Sequence, residues 1–176
     1  AKKSRMTYGS AGNGSVNHLL GEMFNKAAGV KLVHIPYRGA APAMTDLMGG
    51  QIDVVFTSLP SVAGSLKAGK LRAIAVTSAK RAAAFDQIPT IAEAGFAGFD
   101  VSPWFGLLAP ARTPPAIVAK VNADVNALLK TREVAESFAA QGAEPYLTAP
   151  AEFTKVLRSD IEKWGRVVKE SGASLD

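Results

Sequence analysis

Three glycines in six residues, Gly9, Gly12 and Gly14, separate the extended triplet Met6-Thr7-Tyr8 from apolar residues at helical spacing, Val16, Leu19, Leu20, Met23 and Phe24. Two backbone periods meet at that point, so the chain must run as a strand, turn sharply and continue as a helix. Ser15 occupies the N-cap position, and Asn17 and Glu22 fall on the side predicted to face water. A glycine-rich turn that opens a helix gathers unpaired N–H groups at the positive end of the helix dipole, which favours an anion. The lysine of the pattern GxxxxGK[ST] is absent, and the order Gly9-x-x-Gly12-x-Gly14 inverts the spacing of GxGxxG. A small carboxylate, near the Ser10 and Ser15 hydroxyls, is therefore the anion expected. A tight strand-to-helix corner that binds nothing fits the same residues, and the pattern alone leaves both open.

Further strand–helix units follow. Val30 to Ile35 is a continuous apolar run of the kind found in buried parallel strands, ending in Pro36-Tyr37-Arg38-Gly39. Ala40 to Met48 reads as a helix closed by Gly49-Gly50, Gln51 to Phe56 as a strand, and the segment through Lys67 as a helix capped by Gly69. Leu71 to Val76 reads as a fourth strand. The connections are short, so right-handed crossovers in one parallel sheet are expected. Ligands of such sheets sit beyond the carboxyl ends of the strands. Four polar or glycine-rich segments meet that description: Gly9 to Ser15, Pro36 to Gly39, Thr57 to Ser61 and Thr77 to Arg81.

From Arg81 to Phe99 only Thr90 to Ala94 suggests a short helix. Val101 to Leu108 is extended, and the proline-rich Ala109 to Pro115 reads as a boundary. Helices alone follow. One carries a stripe of Ile117, Val118, Val121, Val125, Leu128 and Leu129, a second runs Val134 to Ala140, and a third runs Pro150 to Glu170 with Phe153, Val156, Leu157, Ile161, Trp164 and Val168 on one side. No strand remains to cover these faces. Either they fold back on the first sheet or their covering surface lies outside this chain.

Composition narrows the function. The 176 residues, 48% of them apolar, suffice for one packed domain or one domain and part of another. No apolar run is long enough to span a membrane as a helix. The opening AKKSRMTYGS has no apolar core of a signal peptide, so any export signal is expected to lie upstream or to be absent. The net charge of +5 is scattered and not interleaved with aromatics, which argues against nucleic acid and suits an acidic small ligand. Without cysteine there is no thiolate zinc site, disulfide or cysteine nucleophile. His18 and His34 stand apart and are expected to be structural, so neither a metal nor a cofactor is expected. Asp46, Asp53 and Asp100 are isolated and GxSxG is absent, so no catalytic residue is assigned. Trp104 and Phe105 are candidates for a cleft mouth or for packing, and Trp164 for the core.

The successive stretches YGSAGNGS, HIPYRGAAPAMTDLMGGQIDVVF, AGKLRAIAVTSAKR, IPTIAEAGF, WFGLLAPARTPPAIVAKVNADVN and AAQGAEP, from Met6 to about Lys169, resemble the tripartite tricarboxylate transporter substrate-binding proteins, also called Bug receptors. The resemblance implies an α/β fold of the periplasmic-binding-protein type (type II flytrap), in which two lobes close on a small carboxylate and deliver it to membrane transporter subunits. On that pattern residues 1–102 are the second lobe, with a parallel-rich sheet. Residues 103–114 are the crossover hinge, and residues 115–176 are C-terminal helices belonging to the first lobe. The amino-terminal lobe and its own anion loop are not represented, which leaves helix faces uncovered and open to self-association. The resemblance assigns ligand binding to Ser10, Ala11, Gly12, Asn13, Gly14 and Ser15. Tyr37, Arg38 and Gly39 form a second group, with Thr57 and Ser58, and Arg38 is either a carboxylate clamp or an exposed loop charge. Two other functions stay open: the effector domain of a transcription regulator with the same fold, and an α/β enzyme.

Overall fold

A computed structural model describes residues 5–172. The outermost residues of the two expected end domains, 1–4 and 173–176, fall outside the described part. Strand β1 (Thr7–Ser10) leads into helix α1 (Val16–Ala28), followed by β2 (Val33–Pro36), α2 (Ala40–Met48), β3 (Val54–Val55) and α3 (Leu59–Lys67). The three strands form one parallel sheet in the order β2-β1-β3, with Tyr8 opposite His34 on one side and Val54 on the other. Helix starts and stops follow the local code. The Ser15 hydroxyl accepts from the His18 amide, and Gly29 ends α1 in the left-handed region at φ 62°.

The sheet is smaller than expected for identifiable reasons. β3 keeps two of six expected residues, because the Asp53 carboxylate accepts from the Thr7 amide (2.8 Å) and hydroxyl (2.9 Å) where a backbone ladder would run. β2 lies at the sheet edge, so its residues are half-buried rather than enclosed. Leu71 to Val76 does not join the sheet. It is extended and its burial alternates as in a strand, but among the described residues its only pairing is a parallel bridge from Val76 to Thr90. Among the described residues no neighbouring strand takes up its other amides and carbonyls. Thr90 to Ala94 forms a turn rather than a helix, tied by reciprocal bonds between Thr90 and Glu93.

Two apolar clusters form the core. One joins Leu20, Ile91, Phe99 and Val101 with half-buried Met23, Phe24, Phe56 and Trp164 around it; the other joins Ala63, Val76, Phe85 and Ile88. The last three helices, α4 (Pro115–Leu129), α5 (Arg132–Ala140) and α6 (Pro150–Ser171), contain no buried residue. α6 packs on α1, bringing Trp164 to the edge of the first cluster, and Gly142, just after α5, stands against the Phe85 ring. The described helices fold back on the rest of the chain through α1 rather than through the sheet itself. Ile117 and Leu128 nevertheless stay 53% and 60% exposed and the crossover residues Phe105, Leu107 and Leu108 more so. Trp104 instead packs edge-on against Phe153 and donates to Asp160 at 2.6 Å.

Candidate functional site

The turn between β1 and α1 is built by exclusion. A Cβ on Gly9 would stand 2.6 Å from Ile52 Cδ1 and 3.3 Å from both Tyr37 and Val55, so a side chain here would push the end of Ile52 aside. Gly12 and Gly14 then take φ of 124° and 71°, which side chains with a Cβ disfavour. Both serine hydroxyls turn inward and shape the turn. Ser15 Oγ donates to the Gly12 carbonyl at 2.7 Å. Ser10, 1% exposed, receives the Gly12 amide at 3.1 Å and lies 2.6 Å from His34 Nε2. The Gly14 amide donates to His18 Nδ1 at 3.1 Å, and the Ser15 amide to the Gly12 carbonyl at 3.2 Å. Among the described residues no hydrogen bond engages the amides of Ala11, Val16 or Asn17. The last two belong to the first turn of α1, which carries no acidic side chain.

Beneath the turn lies a stack of rings. His18 and His34 are parallel within 7°, with centroids 3.9 Å apart, and Tyr8 stacks beyond His34 at 5.0 Å. They are not separate histidines: α1 and β2 bring them face to face. Burial lowers the basicity of both imidazoles. For His34 the neighbouring His18 adds to this and its pKa falls to about 4, while Glu22 pulls the other way. The Tyr8 hydroxyl donates to Glu22 at 2.6 Å, and burial together with that carboxylate pushes its pKa far above the ordinary tyrosine range. Glu22 and Asn17 therefore do not sit on a wet face. Glu22 holds the buried tyrosine, and Asn17 Nδ2 donates to the Phe56 carbonyl. Among the described residues no group of histidine and acidic side chains is placed to hold a metal ion.

Of the second group of expected residues, Tyr37 is tied to the same corner. The Tyr37 amide donates to the Ser10 carbonyl at 3.2 Å, and its hydroxyl donates to Asp46 at 2.7 Å; that bond raises the phenol's pKa. Arg38 is exposed, and Gly39, at φ 108°, starts α2. Thr57 and Ser58 follow β3, with Ser58 at the N-cap of α3 and its hydroxyl 2.8 Å from that of Ser61. Of the eleven expected residues only Thr57 and Ser58 also border a wide open cleft of about 2210 Å³. A small-molecule pocket holds about 300–1,000 Å³. That cleft, lined by the Leu71–Val76 segment, the crossover and α4, is an uncovered apolar face rather than a ligand pocket. The imidazole stack escaped the sequence reading because its members are sixteen residues apart on different elements. The one available signal was that each lies on an otherwise apolar face.

Comparison with known proteins places this corner in context. The sequence profile of the tripartite tricarboxylate transporter family receptor, TctC, matches residues 1–173. Bordetella pertussis protein BugT is 40% identical over 92% of this chain and 50% of its own length. A Pseudomonas knackmussii protein from the clcB-clcD intergenic region is 35% identical, covering 90% of this chain and 94% of its own length. Among solved structures, an R. palustris protein with adipate superposes at TM-score 0.92 with 35% identity, over 98% of this chain and 58% of that one. The periplasmic binding protein BugD superposes at 0.88 with 34% identity, over 98% and 59%. MatC from Rhodopseudomonas palustris with bound malate superposes at 0.84 with 32% identity, over 93% and 56%. The chain spans about half the length of the first curated relatives it matches.

Proposed function

Since the chain belongs to the tripartite tricarboxylate transporter receptor family, a family of solute-binding receptors, we propose that it binds a small organic carboxylate at the corner where β1 meets α1. The observation that carries this reading is the first turn of α1. Among the described residues its Val16 and Asn17 amides are unengaged, that turn carries no acidic side chain, and Gly12 and Gly14 bend the backbone just ahead of it at positive φ. Ser10, Asn13 and Ser15 belong to the frame of the turn, Tyr37, Arg38 and Gly39 to one wall, and Thr57 and Ser58 to the other. The adipate and malate held by solved relatives support this ligand class.

The wider setting follows from the uncovered face. Residues 1–102 act as one lobe, 103–114 as a crossover, and 115–176 as helices whose apolar sides meet a further lobe, of which the relatives' greater length is the source. Closure of two such lobes shields the carboxylate in the periplasm before it passes to membrane transporter subunits. Calorimetric titration of adipate, malate and citrate tests the reading, on this chain and on a fusion that adds the amino-terminal half of BugT. Heat of binding is expected from at least one acid, and a Gly14→Val variant is expected to abolish it with the far-ultraviolet helix signal retained. A folded fusion that takes up none of the acids ends the proposal.

A further inference from the structure

We propose that the stacked His18–His34 pair sets the shape of the carboxylate-binding turn, as two positioning residues that hold it at both ends in their neutral form. The inference rests on the ligand reading given above. His34 Nε2 meets the Ser10 hydroxyl where the turn leaves β1, and His18 Nδ1 accepts the Gly14 amide just before α1 begins. The rings belong to α1 and β2 and are in face-to-face contact, so each ring fixes the other and the two together span the turn.

The arrangement needs specific protonation. An amide donating to Nδ1 requires a lone pair there, so His18 carries its proton on Nε2. A second proton on His18 would put two donors head to head at 3.1 Å, and protons on both rings would place like charges on stacked centroids 3.9 Å apart. The titratable groups facing the pair are Tyr8 from β1, stacked on His34, and Glu22 from α1, bound to the Tyr8 hydroxyl. Phe56, following β3, meets the Tyr8 ring edge-on and brings no charge. Glu22 is thus the only anion in this set, and its carboxylate is directed to Tyr8. Acidification accordingly releases the Gly14 amide and loosens the turn.

The test separates an acceptor from mere packing. Asparagine at position 18 returns an acceptor near the place of Nδ1 but no ring, whereas leucine fills space and accepts nothing. His18→Leu is expected to weaken adipate or malate binding roughly tenfold or more, and His18→Asn to stay within about threefold of the parent. Below about pH 6 the parent should lose affinity more steeply than His18→Asn, the acid's own ionisation being common to both. In the ligand-free protein, nuclear magnetic resonance should show the Gly14 amide shift following the titration of His18. Parental affinity in a folded His18→Leu, or an Asn variant as weak as the Leu variant, overturns the proposal. A Gly14 amide indifferent to His18 protonation also overturns it. This last reading needs no ligand, so it decides the inference even if the parent binds no acid, the outcome that defeats the receptor reading alone.

Discussion

Gly21 offers a measurement in which two physical rules predict opposite signs. It lies in the interior of α1, where replacing glycine by alanine ordinarily gains about 1 kcal/mol of helix stability. At this position, however, a Cβ would fall 2.2 Å and 2.4 Å from two atoms of the Tyr8 ring. That ring is 0% exposed and is flanked by His34, His18 and Phe56, so it has no free direction in which to move. Forcing a methyl group into such packing costs about 1–3 kcal/mol or more, and here it would also disturb the Tyr8–Glu22 bond, worth about 1.5–3 kcal/mol as a bond to a charged group. A net loss of about 2–4 kcal/mol is expected for Gly21→Ala once the propensity gain is set against it. Gly165, exposed in α6 with nothing within 4 Å of its would-be Cβ, supplies the control: Gly165→Ala should be neutral or stabilising by up to about 1 kcal/mol. Urea denaturation followed by circular dichroism reads both variants through the midpoint at constant slope. A Gly21→Ala protein as stable as its parent would show that the α1–Tyr8 contact does not limit the fold.

Two further outcomes follow from half-buried polar groups. His34 has a folded-state pKa of about 4 against an ordinary 6.5, so the fold favours its neutral form: stability is fully present above about pH 6.5 and is lost as pH falls towards 4. Allowing for partial exposure, the loss is roughly 2–3 kcal/mol, and a His34→Gln variant should show a flatter stability profile in that window; parallel profiles would refute it. Asp53→Ala removes the acceptor of the Thr7 amide and hydroxyl and should cost about 1–3 kcal/mol, with faster hydrogen exchange at the Thr7 amide; unchanged exchange there would rule out the carboxylate as a ladder substitute.

What could be read from the sequence was local. The bend at Gly9 to Ser15, the cap at Ser15, the stop at Gly29 and the bounds of α2 each depend on residues within one turn of each other, and the structure places them as read. What could not be read involved partners distant in the chain. Leu71 to Val76 has the composition and alternation of a strand, but a strand also needs a neighbour, and the sequence does not say whether one is present. Asn17 and Glu22 look like solvent-facing helix positions until Phe56 and Tyr8, far off in sequence or on another element, claim them. The imidazole stack is the same kind of event. Each histidine alone fits a structural reading, and only the register that sets His34 beside Tyr8 brings α1 and β2 close enough to pair the rings.

The two surfaces that meet water in this chain differ in a way that bears on how it works. At the carboxyl end of the sheet the polar groups are almost all engaged internally: Ser10, Ser15, Gly12 and Gly14 bond within the turn or to the imidazoles. Few amides are left open, so on the proposed function the corner would read the charge of an acid rather than its shape. The cleft beside Leu71–Val76 is the reverse, with Ile74, Leu107 and Leu108 62%, 73% and 73% exposed. Exposed apolar faces of this extent mark surfaces that bury against another body. If the corner holds an acid as proposed, binding without closure would be weak, since most of a small acid would still face solvent. On the same proposal high affinity would depend on whatever covers the apolar side, so that recognition of charge and retention of ligand would be properties of two different parts of the molecule.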